Sequence, residues 1–343
     1  MKKIRINDTI SIGEKEPCFI ISEIGANHNC SLSMAKELID ASVEAKANAV
    51  KFQIYRAENL YSKKTPLHSG YKKNLFSLIK DIETPREWIP ELADYCMLRN
   101  IVFFATPFDI EAADELNKIS PLFKIASFEI VDLQLVKHVA LKNKPIIIST
   151  GLCNMEEIED AILTCREAGN DDIVLLQCAS KYPASPDIMN LRAMRTMQHA
   201  FGVQTGLSDH TRGIHVSIAA AAMGACVIEK HVTLDRNLDG PDHPFAIEPD
   251  ELAELVRQVR DVELAFGDGI KRGPSKNELE FYEKARRSIH AKEEISEGEI
   301  ITEEMLCSKR PGYGIKPKFI NLVVGRKAKK RICAEEWITW EMI

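Results

Sequence analysis

The sequence predicts a (β/α)₈ barrel followed by a small β-rich domain. As far as about Gly267, eight apolar runs rich in β-branched and aromatic residues alternate with amphipathic, helix-length segments. The runs are apolar on both faces, as in parallel strands covered by helices. Eight such units in about 250 residues are the count and size of a closed barrel. An open doubly wound sheet is the competing fold, but no Gly-x-Gly-x-x-Gly follows the first run, where a dinucleotide site would need it.

The predicted elements follow one another in strict alternation. The strands are expected at 18–24, 49–55, 101–106, 122–127, 145–150, 173–178, 201–207 and 226–231. The helices are expected at 34–47, 85–99, 110–119, 133–141, 155–168, 191–198, 212–223 and 249–266. This order makes 1–268 the barrel domain.

The alternation stops after Gly267-Asp268-Gly269. Residues 269–286 form a predicted linker, with some helix from Asn277 on. Strand-like pieces at 287–291, 299–302 and 322–332, separated by glycines, predict a small β-rich domain over 287–343. A domain of this size has little core and gains stability by docking on a barrel, its own or a partner's.

Composition limits the class of protein. A net charge of −6 argues against a nucleic-acid binder, which normally has a basic face. Nine cysteines without a CxxC pair fit reduced, buried thiols. The polar start of the chain predicts no signal peptide, and no apolar stretch reaches membrane-spanning length. We therefore expect a cytoplasmic enzyme without a nucleic-acid or membrane partner.

Two triplets, Ser208-Asp209-His210 and Glu229-Lys230-His231, end neighbouring predicted strands. One helix-length segment separates them, so the strands are parallel neighbours and the two histidines emerge at one edge. With Asp209 and Glu229 beside them, the imidazoles are candidates to share a metal; the alternative is that they only form hydrogen bonds in loops. A pair of histidines leaves coordination positions open, as in catalytic sites, and suits Mn²⁺, Mg²⁺, Co²⁺ or Zn²⁺.

Lys51 and Lys124 stand inside apolar strands and need an anion, because an unpaired buried charge is costly. An internal salt bridge with Glu23 or Glu129 would satisfy them. Hydroxyl residues at the ends of strands 3 to 7 would instead complete a site for a phosphate and a carboxylate, as phosphoenolpyruvate presents. A Schiff-base lysine is the third interpretation.

These motifs resemble those of the sialic acid synthase family, which makes N-acetylneuraminate, legionaminate and pseudaminate and includes spore-coat polysaccharide synthases. The barrel motifs are Glu23-Ile24-Gly25-Ala26-Asn27-His28, Lys51-Phe52-Gln53, Ala105-Thr106-Pro107-Phe108, Lys124-Ile125-Ala126-Ser127-Phe128-Glu129, Ser149-Thr150-Gly151, Tyr182-Pro183, Gly206-Leu207-Ser208-Asp209-His210, Ile228-Glu229-Lys230-His231 and Gly240-Pro241-Asp242-His243. The C-terminal residues Ile295-Ser296-Glu297-Gly298-Glu299 and Lys309-Arg310-Pro311-Gly312 resemble the family's antifreeze-like (SAF) domain.

The resemblance implies condensation of phosphoenolpyruvate with an N-acylated amino sugar to a nine-carbon 2-keto-3-deoxy acid. It implies a domain-exchanged homodimer and a divalent ion on His210 and His231, Mn²⁺ first, with Mg²⁺ or Co²⁺ as alternatives. The implied phosphoenolpyruvate ligands are Lys51, Thr106, Lys124, Ser127, Ser149, Ser180 and Ser208. The implied sugar ligands are Glu23, Gln53, Tyr182, Glu229, Asp242 and, from the other subunit, Arg310. Glu23, Glu129 and the two histidines are the catalytic candidates, with Glu129 positioning a water.

The chain departs from the neuraminate pattern. Ser180 replaces an Asn, and Ala126-Ser127-Phe128-Glu129 replaces Gly-Ser-Gly-Glu, as in the pseudaminate and spore-coat branches. Gly240-Pro241-Asp242-His243 is instead similar to the legionaminate and neuraminate branches, and the loop 61–78 matches no branch, so the sugar stays open. The rival functions are a metal-independent Schiff-base aldolase and a non-catalytic carbohydrate- or ice-binding protein.

Overall fold

The computed structural model describes residues 1–66 and 74–343. Part of the loop 61–78 therefore lies outside the described residues. Contacts divide the chain into two compact units, Met1–Gly267 and Asp268–Ile343. No helix among the described residues is long and apolar enough to cross a membrane.

The first unit is built on eight parallel strands in one sheet, as predicted. They are β1 (Phe19–Gly25), β2 (Ala49–Ile54), β3 (Val102–Pro107), β4 (Phe123–Ile125), β5 (Ile146–Ser149), β6 (Ile173–Cys178), β7 (Gln204–Asp209) and β8 (Val227–His231). The strand order is β3-β2-β1-β8-β7-β6-β5-β4, and β3 and β4 also contact each other, so the sheet forms a nearly closed barrel. The expected fold class is confirmed.

Eight helices follow the strands one by one. They are α1 (Leu32–Glu44), α2 (Ile89–Leu98), α3 (Ile110–Leu116), α4 (Leu133–Ala140), α5 (Met155–Glu167), α6 (Ala193–Phe201), α7 (His215–Ala222) and α8 (Pro249–Ala265). Among the described residues between β2 and α2, Ala57–Leu60 and Leu75–Asp81 form two further short α-helices. Side chains of Ser31, Asp109, Asp132 and Asn154 cap four of the helices by accepting backbone N–H bonds of the first turn.

The seventh strand begins and ends later than predicted. Phe201 is the last residue of α6, and Gly202 caps that helix with a left-handed φ of 67°. The strand runs from Gln204 to Asp209, so it includes both Ser208 and Asp209.

An N-terminal hairpin, Ile4–Arg5 paired with Ser11–Ile12, closes the barrel at the amino ends of the strands. The sequence analysis did not predict it. Ile4 and Ile12 join an apolar cluster with lumen residues such as Phe19 and Phe104. Strands of two residues are too short to show a period in the sequence. The open end of the lumen therefore lies at the carboxyl ends of the strands.

The second unit has its own apolar core around Ile289, Ile295, Leu306 and Ile332. Its one antiparallel pair joins β9 (Ser288–Ala291) to β10 (Leu306–Lys309), and Leu279–Lys284 and Ile320–Val323 are short helices. The predicted strands at 299–302 and 322–332 were wrong, because these segments contribute only single bridges such as Ile300 to Lys327. Loops that pair at one residue give the same apolar pattern as strands.

Candidate active site

Alternation along the strands decides which polar side chains enter the lumen. On β2, Lys51 and Gln53 face inward while Val50 and Phe52 join the outer core between strands and helices. The register places Glu23 of β1 between Lys51 of β2 and His231 of β8. The lumen thus receives charged side chains from adjacent strands at one level.

Four charged residues form a buried network at this level. Lys51 Nζ lies 2.7 Å from Oε2 of Glu23 and 3.9 Å from Oε2 of Glu229. Lys124 Nζ lies 3.8 Å from Oε1 of Glu229. All four side chains are at most 6% exposed. The ion pair of Lys51 with Glu23, one of the alternatives left open by the sequence, is therefore present, whereas Lys124 has no equally close carboxylate among the described residues.

The pKa shifts follow this geometry. Burial lowers the pKa of Lys124 and is only partly offset by Glu229. Burial acts on Lys51 in the same sense, but Glu229 and Glu23 outweigh it and raise that pKa. Burial also acts to raise the pKa of Glu229, yet Lys124 and Lys51 together bring it below its usual value. Both ammonium groups thus share the ionised carboxylate of Glu229, and Lys51 also pairs with Glu23, so Lys124 is the cation with capacity for a further anion.

Hydroxyl groups surround the two lysines. Lys51 donates to Thr106 at 3.1 Å and Lys124 to Ser149 at 2.6 Å. Ser208 donates to Glu229 at 3.1 Å. The fourth hydroxyl, on Ser127, accepts from the backbone N–H of Gly151 at 3.0 Å. Backbone and side-chain donors with both cations form a lining suited to an oxyanion.

The two histidines stand side by side at the mouth of the lumen, with ring centroids 5.5 Å apart. Nδ1 of His210 lies 2.9 Å from the carbonyl oxygen of Ala179 and 3.7 Å from Sγ of Cys178, which leaves Nε2 for a ligand. Nδ1 of His231 is buried without a hydrogen-bond partner among the described residues. Burial, and then the neighbouring His210, hold the pKa of His231 far below its usual value, so its imidazole is neutral.

Gln53 and Asp242 extend the site on the side of β1. Gln53 donates to Oε1 of Glu23 at 2.7 Å, and Oδ2 of Asp242 lies 3.5 Å from Nδ1 of His231. A methyl group built on Gly25 would lie 3.4 Å from oxygens of Glu23 and Asp242 and from the Gln53 amide nitrogen. These three polar side chains therefore converge at a glycine that leaves space between them.

Twelve of the predicted site residues line a single cavity. They are Glu23, Lys51, Gln53, Thr106, Lys124, Ser127, Ser149, Tyr182, Ser208, His210, Glu229 and His231. Asp242 contacts this group through His231. Arg310 belongs to the second unit, and its relation to the cavity stays a prediction.

Glu129 and Ser180 stand next to the cavity rather than on its wall. Burial raises the pKa of Glu129 to about 7, against a smaller opposing effect of Lys124, and its Oε2 is buried without a hydrogen-bond partner. The Ser180 hydroxyl is likewise buried and unpartnered, close to Gly151. Both therefore have a free polar atom, with none of the described residues bonded to it.

Asp209, which the sequence placed beside the metal, points away from the lumen. It accepts hydrogen bonds from Thr211 and Ser217 and lies 3.0 Å from Nζ of Lys230. The reason is that β7 continues through Asp209, so Ser208 faces the lumen and Asp209 faces the helices. The expectation of an Asp209 contribution to a metal site was wrong.

Three aromatic residues and one cysteine at the cavity were not predicted. Phe108, Phe128 and Cys178 line it, and the Phe245 ring centroid lies 5.1 Å from that of His231. Cys178 ends β6 two residues before Ser180, so strand alternation was a usable signal for it. Phe245 lies in the loop after β8, where no periodic pattern indicates direction.

Comparison with known proteins identifies the family. Residues 38–271 match the NeuB family and residues 286–343 match the SAF domain. This chain belongs to the NeuB family. An N,N'-diacetyllegionaminic acid synthase of Campylobacter jejuni is 42% identical over 93% of this chain and 98% of its own length. A pseudaminic acid synthase of Helicobacter pylori is 38% identical over 92% of this chain and 94% of its own length.

Among solved structures, the N-acetylneuraminic acid synthetase of Leptospira borgpetersenii, in complex with citrate, is similar to this NeuB-family chain. It is 36% identical, with a TM-score of 0.74 over 82% of this chain and 95% of that one. The C-terminal SAF domain predicted from the sequence is confirmed by the match to residues 286–343. The relatives are synthases of three different sugar acids, so this NeuB-family chain is an enzyme of the same kind.

Proposed function

We propose that this enzyme condenses phosphoenolpyruvate with an N-acylated amino sugar, either N-acetylmannosamine or a 6-deoxy diacetamido hexose. The products are a nine-carbon 2-keto-3-deoxy acid and phosphate. The observation that carries the proposal is the pair Lys51 and Lys124 inside the lumen, which share the Glu229 carboxylate while Lys124 has no closer carboxylate of its own among the described residues. Membership of the NeuB family and the names of its relatives support the same conclusion.

Phosphoenolpyruvate is the anion that this lining fits. Lys124 with Ser149 and Ser127, and Lys51 with Thr106, offer charge-assisted bonds to a phosphate and a carboxylate. Ser208 and Ser180 are the remaining proposed ligands of phosphoenolpyruvate. The buried ammonium of Lys124 gains most, because its pKa is lowered and an incoming anion would relieve that cost.

The acceptor sugar is proposed to bind between Glu23, Gln53 and Asp242, with Tyr182 and Glu229 alongside. These groups supply acceptors and one amide donor, which suit sugar hydroxyls. The ring of Tyr182 lies 4.3 Å from that of His210 and is 45% exposed, so it stands at the mouth where a sugar would enter. Arg310 of a partner subunit is proposed to complete this pocket at the N-acyl group.

His210 and His231 fit a divalent cation, because a neutral imidazole with an unpartnered nitrogen and a second ring with a free Nε2 face one space. Mn²⁺ is proposed first, with Mg²⁺ and Co²⁺ as alternatives; such an ion polarises a carbonyl as a Lewis acid. Among the described residues no group of three or more His, Cys, Asp or Glu is placed to hold a metal ion, so the proposed ion would rest on the two histidines. Open positions are what substrate binding requires.

In the proposed reaction, C3 of phosphoenolpyruvate forms a bond with C1 of the open-chain sugar, and the sugar carbonyl oxygen takes up a proton. Water then adds at C2, losing a proton. The C2–O bond to phosphate breaks as the new C2 hydroxyl gives its proton to the departing phosphate, which leaves the ketone. Glu129 is proposed to hold that water with its unpartnered Oε2. Lys51 and Lys124 keep the phosphate in place until it leaves.

The test is phosphate release from phosphoenolpyruvate across a panel of N-acyl mannosamines and 6-deoxy diacetamido hexoses. One sugar class should support rapid release and the others should not. With ¹⁸O in the bridging position of phosphoenolpyruvate, the label should appear in the released phosphate, because the C–O bond breaks. No phosphate release with any panel member, or label retained in the sugar acid, contradicts the proposal.

A further inference from the structure

Two fully buried histidines, His28 and His243, belong to the motif loops but do not line the cavity. Nε2 of His28 lies 2.9 Å from the Thr84 hydroxyl. Nδ1 of His243 lies 2.7 Å from the hydroxyl of Thr233, and its Nε2 lies 3.0 Å from Oδ1 of Asn29. Each histidine therefore bridges two separate segments of chain.

The loop after β1 is the common partner of these bridges. Its consecutive residues Asn27, His28 and Asn29 each bond to another segment. Asn27 donates to the carbonyl oxygen of Val232 at 2.9 Å, and Asn29 bonds to His243. Two of the three bonds thus fasten the loop after β8, which carries Asp242, to the loop that follows Glu23.

His243 is a neutral imidazole that bonds to Thr233 through one ring nitrogen and to Asn29 through the other. Burial lowers its pKa. The N–H on Nε2 donates to Asn29, since the amide oxygen only accepts, and Nδ1 bonds to the Thr233 hydroxyl, which also contacts the carbonyl oxygen of Asp235 at 3.0 Å. Gly240 approaches closely: a methyl group there would lie 2.6 Å from the His243 ring. The histidine is thereby packed against the start of its own loop.

We propose that His243 is a positioning residue for the acceptor sugar: its bond to Asn29 fixes the loop 240–245 so that the Asp242 carboxylate faces Gln53 and Glu23. The inference rests on the proposed function, which gives Asp242 to the acceptor. Lys124, Ser149 and Ser208 lie on strands outside this loop. Loss of the bridge should therefore affect the sugar and spare phosphoenolpyruvate.

His243→Phe keeps a ring of similar size and removes both bonds. It should raise the KM for the sugar roughly tenfold and leave that for phosphoenolpyruvate within about twofold. His243→Gln keeps an amide donor near Nε2 and should recover most of the loss. Asn29→Gly removes the acceptor but suits the left-handed backbone of Asn29, at φ 46°, and should act like His243→Phe. The double variant with His243→Phe and Asn29→Gly should have no higher a KM for the sugar than either single variant.

Ser42→Ala is the matched control, because it removes a buried hydrogen bond to Ser22 on the outer side of β1. It should lower thermal stability without moving either KM. Hydrogen exchange at 240–245 should rise in His243→Phe and in Asn29→Gly but not in Ser42→Ala. An unchanged sugar KM in His243→Phe, or equal rises in both KM values, overturns the positioning role. Absence of wild-type turnover with every sugar counts instead against the proposed function.

Discussion

Lys124 donates a hydrogen bond to Ser149 at 2.6 Å, while Oε1 of Glu229 stands 3.8 Å from the same ammonium nitrogen. The lysine is held by a neutral hydroxyl and attracted by a carboxylate that it shares with Lys51. A buried cation in this situation binds an incoming anion more strongly than one already in a close ion pair.

Lys124→Met should raise the KM for phosphoenolpyruvate by about 10- to 150-fold, because a charge-assisted contact contributes about 1.5–3 kcal/mol. The KM for the sugar should change little. Steady-state kinetics with each substrate varied separately measure both values. Lys144→Met is the control, since Lys144 donates to the Ser120 carbonyl away from the cavity. Trapping of substrate on Lys124 by borohydride would favour the Schiff-base aldolase.

His210→Ala and His231→Ala should each lower kcat by at least about a hundredfold, since Lewis-acid stabilisation amounts to several kcal/mol. Each variant should also lose bound divalent metal, measured by elemental analysis after dialysis. His199→Ala, an exposed substitution on α6, should change neither property. Normal activity and metal content in His231→Ala would show that the two histidines do not share an ion.

The kcat should rise with pH through about 7 if the ionised carboxylate of Glu129 acts on water, because burial raises its pKa to that value. Glu129→Gln should remove this inflection as well as lower kcat. The free energy of unfolding should change with pH in the opposite direction to kcat. The folded protein retains a proton that the unfolded chain releases near the usual value, so stability falls as pH rises to about 7. Thermal unfolding of both proteins across this range checks the second effect.

Arg310→Ala subunits mixed with His231→Ala subunits should regain activity if Arg310 acts on the partner's barrel. Half of the dimers then combine the two defects, and one of their two sites is intact. About a quarter of the wild-type activity should return once exchange is complete. Mass spectrometry of the native dimers verifies exchange. No gain in a verified mixture would leave Arg310 with a role in its own subunit.

Lys230→Met should destabilise the barrel by about 3–5 kcal/mol, because it leaves the buried carboxylate of Asp209 without its cation. Replacing both residues, with Asp209→Asn, should cost less than Lys230→Met alone. Urea unfolding of the two variants measures the difference. A loss below 1 kcal/mol for the single variant would mean that the hydroxyls of Thr211 and Ser217 satisfy Asp209 unaided.

Strand periodicity predicted the barrel and the direction of Lys51, Gln53, Glu229 and His231, since alternate residues of a strand face opposite sides. It placed Asp209 wrongly, because the predicted seventh strand ended at 207 and left Asp209 in a loop of unknown direction. Phe245 and the partners of His243 could not be predicted. They depend on contacts between loops far apart in sequence, and a single sequence contains no signal for these.

Alternate residues of the eighth strand, β8, have different roles. Glu229 and His231 point into the lumen, and Lys230 between them anchors Asp209 on the opposite side. Inserting or deleting one residue upstream within this strand would exchange the two sides, moving an ammonium into the cavity and two site residues among the helices. Length changes compatible with function are therefore confined to the loops or to steps of two residues.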